Sequence, residues 1–266
     1  GWGNSLRGVL SRSTGYDHLV KYQNSIDFDM ELGYLPLYCN RAVAEQAILL
    51  MMALFRKLPI QMQNFKNFNR NGLTGNEAEG KTLVVYGVGN IGSEIVKIGK
   101  GLDMQVYAVD IEEKYPEFEY VSPEYGFENA DVIVCSMNLT EENENYFKFD
   151  KLKQCQKQPL FVNVARGELS YSVDILEALE EGLISAVAMD VYNEEDKLAD
   201  FLRAGNDVES AEVEAVKKLM QKPNVIYTPH NAFNTIEAVE RKSEQSVQQV
   251  AHFLKNDRFY WEIPEK

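Results

Sequence analysis

The sequence predicts an α/β fold in which one doubly wound sheet of parallel strands is covered by helices on both faces. From Lys81 onward, short runs of β-branched and aliphatic residues alternate with segments of helical length and pattern. The runs are apolar almost throughout, and not only at every second position. Such continuous runs are typical of parallel strands that are buried on both faces.

Six runs are predicted to be strands of this sheet. In order they are TLVVYG (82–87), MQVYAVD (104–110), ADVIVCS (130–136), PLFVNVA (159–165), ISAVAMDV (184–191) and NVIYT (224–228). Helical patterns between them predict helices at 91–102, 172–182 and 209–221. In the second helix, Ser172 is the predicted N-cap and Gly182 the predicted C-cap, because those residue types are preferred there.

Two longer helices are predicted on either side of this unit. RAVAEQAILLMMALFRKL (41–58) has a helical pattern that Pro59 stops, and residues 235–254 form a second amphipathic helix. The two helices suit a hinge between the sheet unit and a smaller domain built from both ends of the chain. The predicted domains are therefore residues 53–230, and residues 1–52 together with 231–266.

The composition argues against several classes of protein. The net charge is −14 and the 27 Lys and Arg residues form no basic stripe, so a nucleic-acid partner is not expected. The longest apolar stretch, residues 42–55, contains Glu45 and Gln46 and is too short and too polar to span a bilayer. The three cysteines are scattered, so neither a disulfide framework nor a cysteine metal site is expected. With no secretory signal pattern, the protein is predicted to be cytoplasmic and to hold no metal.

A glycine-rich turn follows the first predicted strand. Gly87, Gly89 and Gly92 have G-x-G-x-x-G spacing and open a helix, and Asp110 ends the next strand 18 residues after Gly92. The first glycine allows a tight turn, the second lets backbone N–H groups approach a pyrophosphate, and the third lets helix and strand pack closely. A turn without a ligand is the alternative. The strand before, the helix after and the acid favour NAD, since the carboxylate would repel the extra phosphate of NADP.

Four polar residues lie at or beyond the carboxyl ends of later strands, where ligands bind in such sheets. They are Arg166, Asp190, Glu195 in the loop that follows, and His230. A guanidinium can hold a substrate carboxylate in a bidentate pair. An imidazole can transfer a proton near neutral pH, and a carboxylate beside it favours the imidazolium.

Each of these residues has an alternative interpretation. Arg166 could form a surface salt bridge, and Glu194 is as good a candidate as Glu195 on composition alone. His18 or His252 could be the functional histidine, although His252 follows the period of an amphipathic helix. Their joint placement at neighbouring strand ends is what favours a functional set.

The order of G-x-G-x-x-G, Asp110, NVARGEL, MDVYNEE and TPHNAF resembles the D-isomer-specific 2-hydroxyacid dehydrogenases, from SRSTGYDHL (11–19) to the C-terminal helix. The resemblance implies a Rossmann NAD-binding domain, a smaller flavodoxin-like substrate domain, and an active site in the cleft between them. It also implies a homodimer built around the helix at 41–58. Tyr38 and Phe233 resemble the aromatic positions of the family's D-lactate dehydrogenase branch, which would suit a small 2-oxo acid such as pyruvate, or a somewhat larger one.

The resemblance assigns roles to individual residues of this sequence. Arg166 corresponds to the carboxylate anchor and carbonyl polariser, Glu195 to the glutamate, and His230 to the acid/base histidine. The cofactor positions are Gly87, Gly89, Asn90, Ile91, Gly92, Asp110, Asn138, Ala165 and Asp190. The substrate positions are Ser13, Thr14, Gly15, Tyr38 and Phe233, and the last two could instead be ordinary core aromatics.

The sequence also departs from the family pattern. The family's opening βαβα segment, on the order of 60 residues, does not precede the substrate loop. Either the sequence is a fragment of a longer protein, or the protein has lost the N-terminal part of its substrate domain. Asn138 stands where a proline is common, and Asp196 replaces the proline that commonly follows the glutamate. A NAD-sensing binding protein, similar to corepressors of this fold, and an inactive relative are the alternative functions.

Overall fold

A computed structural model of the protein describes residues 6–26 and 30–264. The chain divides into two compact units, Val43–Ala232 and a smaller one formed by Gly1–Ala42 with Phe233–Lys266. The larger unit therefore begins at residue 43 where 53 was predicted, and ends at 232 where 230 was predicted.

The strands are short, as in most α/β domains. They are β1 (Gly8–Leu10), β2 (Glu31–Gly33), β3 (Thr82–Tyr86), β4 (Gln105–Val109), β5 (Glu119–Tyr120), β6 (Val132–Cys135), β7 (Leu160–Asn163), β8 (Ala186–Met189) and β9 (Val225–Tyr227). The helices are α1 (Asp17–Gln23), α2 (Asn40–Phe55), α3 (Leu58–Phe65), α4 (Asn90–Gly101), α5 (Pro123–Asn129), α6 (Phe149–Leu152), α7 (Ser172–Glu180), α8 (Glu195–Ala204), α9 (Ala211–Leu219) and α10 (Ile236–Asn256).

The larger unit is built on a seven-stranded sheet in the order β5-β4-β3-β6-β7-β8-β9. Every neighbouring pair is parallel; in β3, for example, Val85 is in register with Ala108 of β4 and Val134 of β6. All side chains of β3, β6, β7 and β8 are buried. The doubly wound sheet predicted from the apolar runs is confirmed, and the carboxyl ends of its strands lie along one edge.

The predicted helix at 41–58 is two helices in the structure. α2 ends at Phe55, Lys57 adopts a left-handed conformation with φ of 50°, and α3 begins at Leu58. Pro59 therefore lies in the first turn of α3 and does not stop α2. A proline is tolerated there because the first-turn N–H groups have no partner within the helix.

The predicted N-cap of α7 is wrong by one residue. Ser172 is the first residue of the helix and Tyr171 is its N-cap. The carboxylate of Glu212 from α9 accepts the backbone N–H of Ser172 at 2.7 Å, so a buried acid from another helix does the capping. At the other end Gly182, with φ of +71°, follows the C-cap Glu181.

The smaller unit contains a pair of parallel strands, β1 and β2, joined through α1. Leu19 of α1 packs with Met30 and Leu32 in a small core. α10 contacts β1, and a Cβ on Gly33 would meet the ring of Phe259 at 2.5 Å, so only glycine fits at this end of β2.

No helix among residues 6–26 and 30–264 is long and apolar enough to cross a membrane. Within the same ranges, no cluster of three or more His, Cys, Asp or Glu side chains could hold a metal ion.

Candidate active site

The glycine-rich turn between β3 and α4 has the geometry that its spacing predicts. Gly87 has φ of +86°, and a Cβ there would lie 2.5 Å from the backbone of Met137. A Cβ on Gly92 would lie 2.0 Å from the carbonyl oxygen of Gly87, so this glycine permits the close packing of helix on strand. Nothing lies within 4 Å of a Cβ on Gly89, which leaves open space beside the N-terminus of α4.

Asp110 lies at the end of β4, beside this turn. Its carboxylate accepts the backbone N–H of Val88 within the glycine turn and the N–H of Glu112. Two acceptor positions are thus used to hold the acid against the turn, and a carboxylate has further lone pairs for hydroxyl donors. The open space at Gly89 and the carboxylate at Asp110 fit the phosphate and ribose groups of a dinucleotide.

Arg166 is held by a buried asparagine in β7. The amide nitrogen of Asn163 donates to the carbonyl oxygen of Arg166 at 2.9 Å and to the hydroxyl of Ser170 at 2.7 Å. The amide oxygen of Asn163 accepts the N–H of Ala165 at 2.9 Å. One side chain therefore fixes the loop that carries the guanidinium, and a 3₁₀ turn at Gly167–Leu169 follows.

Asp190, at the end of β8, holds the turn that carries His230. Its buried carboxylate accepts the backbone N–H groups of Asn231 at 2.9 Å and Ala232 at 2.8 Å, together with the hydroxyl of Thr228. His230 has φ of +51°, an uncommon conformation for a residue with a side chain. These three hydrogen bonds hold the residues on both sides of His230 and so stabilise that conformation.

Glu195 contacts His230 directly. Nδ1 of the imidazole lies 3.0 Å from each carboxylate oxygen of Glu195. Glu194 makes other contacts, an ion pair with Lys197 at 2.8 Å and a hydrogen bond from Ser210. The structure thus distinguishes two acids that composition could not. Glu195 was predicted to lie in a loop, but it is the first residue of α8, where the helix dipole favours a carboxylate.

The surroundings of His230 favour its charged form. The hydrogen bond to Glu195 is the largest influence and raises the pKa of His230 above its ordinary value of 6.5. Burial opposes this rise, and the nearby Arg166 guanidinium also lowers the pKa, while Asp190 raises it. Because the folded-state pKa is raised, the pair stabilises the fold below pH 6.5 and loses that contribution as pH rises through the folded-state pKa.

Replacing Glu195 with glutamine is therefore expected to lower the pKa of His230. The amide removes both the charge and the strongest acceptor, while burial and Arg166 continue to disfavour the imidazolium. An NMR titration of the His230 ring in wild-type and Glu195→Gln protein measures the shift, and Glu194→Gln is the matched control. An equal pKa in wild-type and Glu195→Gln protein would show that the pair has no electrostatic effect.

The remaining predicted cofactor residues lie at the same edge of the sheet. Asn90 and Ile91 open α4, directly after the glycine turn. Asn138 is exposed beyond β6, and its carbonyl oxygen accepts the side-chain amide of Asn143 at 2.7 Å. Ala165 directly precedes Arg166, whose Nη1 donates to the Ala165 carbonyl oxygen at 2.8 Å.

The predicted substrate residues belong to the smaller unit. The hydroxyl of Ser13 donates to the carbonyl oxygen of Gly15 at 2.7 Å, and the hydroxyl of Thr14 lies 3.2 Å from Sγ of Cys39. The rings of Tyr38 and Phe233, far apart in sequence, lie edge to face with centroids 6.4 Å apart.

The two alternative histidines make local hydrogen bonds in the smaller unit. Nε2 of His18 lies 2.9 Å from the Ser11 hydroxyl, and Nδ1 of His252 lies 3.0 Å from the carbonyl oxygen of Arg258. His252 also packs edge to face on Tyr260. His230 is the histidine that contacts a glutamate at the strand ends.

Sequence reasoning missed Asn163 and Thr228, which position Arg166 and Asp190. Asn163 is a polar residue inside an otherwise apolar strand, and that contrast was the available signal. Thr228 has no comparable signal, because threonine is common in strands.

The chain as a whole is similar to proteins of one family. Residues 48–232 match the family model described as D-isomer specific 2-hydroxyacid dehydrogenase, NAD binding domain. A D-lactate dehydrogenase of Escherichia coli (strain K12) is 35% identical over 249 residues, covering 88% of this chain and 74% of the relative. An aromatic 2-oxoacid reductase of Clostridium sporogenes (strain ATCC 15579) is 29% identical, covering 93% of this chain and 76% of the relative.

The chain is also similar in fold to solved structures of D-lactate dehydrogenases. The D-lactate dehydrogenase from Aquifex aeolicus, complexed with NAD and lactic acid, superposes with a TM-score of 0.86 at 25% identity, covering 95% of this chain and 77% of that one. The D-lactate dehydrogenase with NAD+ from Lactobacillus jensenii gives a TM-score of 0.78 at 27% identity, covering 98% and 87%.

Proposed function

This chain belongs to the D-isomer-specific 2-hydroxyacid dehydrogenases, NAD-dependent oxidoreductases that act on CH–OH groups, and we propose that it interconverts a small 2-oxo acid and its D-2-hydroxy acid. The observation that carries the proposal is the contact of His230 with Glu195, within electrostatic reach of Arg166. An acid/base group and a carboxylate-binding cation thus lie at the edge of the sheet where the glycine turn begins α4.

His230 is the proposed proton donor in the reduction direction. Because Nδ1 faces Glu195, the other ring nitrogen, Nε2, is the one that would present a proton to the carbonyl oxygen of the substrate. The hydrogen bond to Glu195 raises the pKa of His230, which favours the protonated imidazole, and it would fix the orientation of the ring. Bound NADH would supply the hydride to C2 of the substrate.

Arg166 is the proposed anchor of the substrate carboxylate. Its planar guanidinium can donate two parallel hydrogen bonds to a carboxylate, and its charge polarises the neighbouring carbonyl group. Asn163 keeps the backbone of this loop in place, which supports a fixed substrate orientation.

The NAD-binding residues are proposed from the same geometry. Gly87, Gly89 and Gly92, with Asn90 and Ile91, would hold the pyrophosphate at the start of α4, and Asp110 would accept the ribose hydroxyls. Asn138, Ala165 and Asp190 are the proposed nicotinamide-side residues, with Asp190 also positioning the His230 turn. Ser13, Thr14, Gly15, Tyr38 and Phe233 stay predicted substrate residues of the smaller unit.

Oxidation of NADH with a panel of 2-oxo acids, from glyoxylate to phenylpyruvate, tests this function. We expect turnover with at least one acid and a product of the D configuration, identified by chiral chromatography. NADH binding without turnover of any acid would refute the dehydrogenase and favour a NAD-sensing binding protein.

We also propose that the protein is a homodimer. α2 and α3 carry an exposed apolar face, and α3 has no buried side chain. The exposed residues of this face and the segment after it are Leu49, Leu58, Met62, Phe65 and Phe68. An apolar patch of this kind marks a protein interface. Light scattering should give twice the chain mass of 30.3 kDa, and a monomer would refute the dimer.

The predicted cytoplasmic location stays a prediction.

A further inference from the structure

Tyr192, a buried residue between β8 and α8, contacts the turn that carries His230. Its hydroxyl donates to the carbonyl oxygen of Thr228 at 2.7 Å and to that of Met189 at 3.0 Å, so it bridges the carboxyl ends of β9 and β8. The Thr228 carbonyl oxygen also accepts the backbone N–H of His230 at 2.9 Å. One carbonyl group thus links the Tyr192 side chain to the backbone of His230.

The Tyr192 hydroxyl remains a hydrogen-bond donor at working pH. Burial raises the pKa of Tyr192 above its usual value of 10, and the carboxylates of Asp190 and Glu195 raise it further. The hydroxyl therefore stays protonated near neutral pH. A residue with a side chain keeps a left-handed conformation, as His230 does with φ of +51°, only where its surroundings hold it there. The hydroxyl of Tyr192 is one of the groups that hold it.

The backbone of the same tyrosine packs against the loop that carries Arg166. A Cβ on Gly167 would lie 1.8 Å from the carbonyl carbon of Tyr192 and 2.2 Å from the backbone nitrogen of Asn193. Cβ atoms do not approach other atoms so closely, so the contact requires glycine at this position. Gly167 directly follows Arg166, and Tyr192 lies three residues before Glu195. One short segment therefore contacts both loops.

The ring of Tyr192 is packed independently of its hydroxyl. It lies edge to face on the ring of Tyr227 in β9, with centroids 5.3 Å apart and planes at 90°. The hydroxyl oxygen of Tyr227 is buried too, but it has no hydrogen-bond partner within residues 6–26 and 30–264. The two tyrosines share one aromatic contact, and only the hydroxyl of Tyr192 bonds to the His230 turn.

We propose that Tyr192 is a positioning residue that holds the proposed acid/base pair and the proposed carboxylate anchor in one arrangement. Its hydroxyl fixes the turn of His230, and its backbone contact with Gly167 fixes the loop of Arg166. The inference deepens the proposed function and rests on it, because Tyr192 would influence the reaction through those residues. Every contact that it uses lies within the larger unit.

Tyr192→Phe tests the role of the hydroxyl, and Tyr227→Phe is the matched control. Both variants keep the aromatic ring, but only the first removes a hydrogen bond to the His230 turn. We expect kcat for 2-oxo acid reduction to fall about 10-fold in Tyr192→Phe, the rate equivalent of one lost hydrogen bond. KM and the affinity for NADH should stay near wild type, because the contact with Gly167 is made by the backbone.

An NMR titration of the His230 ring adds a readout that a general loss of stability would not move. A turn that is held less firmly should weaken the contact of His230 with Glu195, which is the largest influence raising the pKa of His230. That pKa should therefore fall in Tyr192→Phe, and the rate of reduction should decline at a lower pH than in wild type. Tyr227→Phe should keep the wild-type pKa and kcat.

Gly167→Ala tests the backbone contact. The added methyl group must separate the loop of Arg166 from the backbone of Tyr192, so KM for the 2-oxo acid should rise and kcat should fall together. Gly101→Ala, at the end of α4, is the control, because a Cβ there meets no atom within 4 Å. Circular dichroism checks that each variant folds, and the comparison of the two tyrosine variants decides the inference even if Gly167→Ala does not.

Equal kcat and equal His230 pKa in Tyr192→Phe and Tyr227→Phe, whether both are unchanged or both reduced, would overturn the inference while the dehydrogenase function stands. A wild-type KM in folded Gly167→Ala would overturn the part that concerns Arg166. Failure of wild-type protein to reduce any 2-oxo acid would instead remove the proposed function. The NMR titrations would then still decide whether Tyr192 positions His230.

Discussion

Replacing His230 with glutamine is expected to lower kcat for 2-oxo acid reduction by about 10²–10⁴-fold, the usual contribution of a positioned acid/base group. Glutamine keeps a polar side chain of similar reach but cannot deliver a proton near neutral pH. Because Asp190 holds this turn through backbone N–H groups, the turn should keep its conformation in the variant. The affinity for NADH should therefore stay close to that of wild type.

Steady-state kinetics measure the loss of kcat, and quenching of protein fluorescence measures NADH binding. His252→Gln is the matched control, since that histidine lies on α10 and bonds to a local carbonyl group. Turnover within a few-fold of wild type in His230→Gln would rule out His230 as the proton donor.

Replacing Arg166 with glutamine is expected to lower kcat/KM by about 10²–10⁴-fold, because two charge-assisted hydrogen bonds to the substrate carboxylate are lost. Arg166→Lys should recover little of this, since an ammonium group cannot reproduce the planar, bidentate pairing. The Arg166 guanidinium also lowers the pKa of His230, so removing its charge should raise that pKa. The remaining rate of 2-oxo acid reduction by the Arg166→Gln protein should therefore decline at a higher pH than the rate of the wild-type protein does.

Arg203→Gln, on α8, is the control for loss of a guanidinium elsewhere in the larger unit. A variant at Arg166 that kept wild-type kcat/KM would show that another group binds the carboxylate. A pH profile unchanged in Arg166→Gln would contradict the electrostatic coupling of Arg166 to His230.

The sheet was predictable because its signal is local. Each buried parallel strand is a continuous apolar run, and the glycine spacing, the preceding strand and Asp110 all lie within a short stretch. The carboxyl ends of parallel strands share one edge, so Arg166, Asp190 and His230 could be placed together from sequence.

The features that sequence reasoning missed depend on distant contacts or on single backbone angles. Glu212 caps α7 from 40 residues away, so the residue types around Ser172 could not reveal it. Helix α8 begins in the acidic run NEED, which was interpreted as a loop, and Leu198 is its one buried side chain. Glu194 adopts a left-handed conformation, and contacts with distant residues distinguish the two acids: Ser210 donates to Glu194, whereas His230 contacts Glu195.

Deuterium transfer tests the central claim most directly. Wild-type protein is incubated with NADH carrying two deuterium atoms at C4 and with the 2-oxo acid that it reduces most efficiently, and the product is analysed by mass spectrometry after chiral separation. The proposed function predicts a D-2-hydroxy acid with one deuterium at C2. An L product, or a hydroxy acid without deuterium, would contradict it.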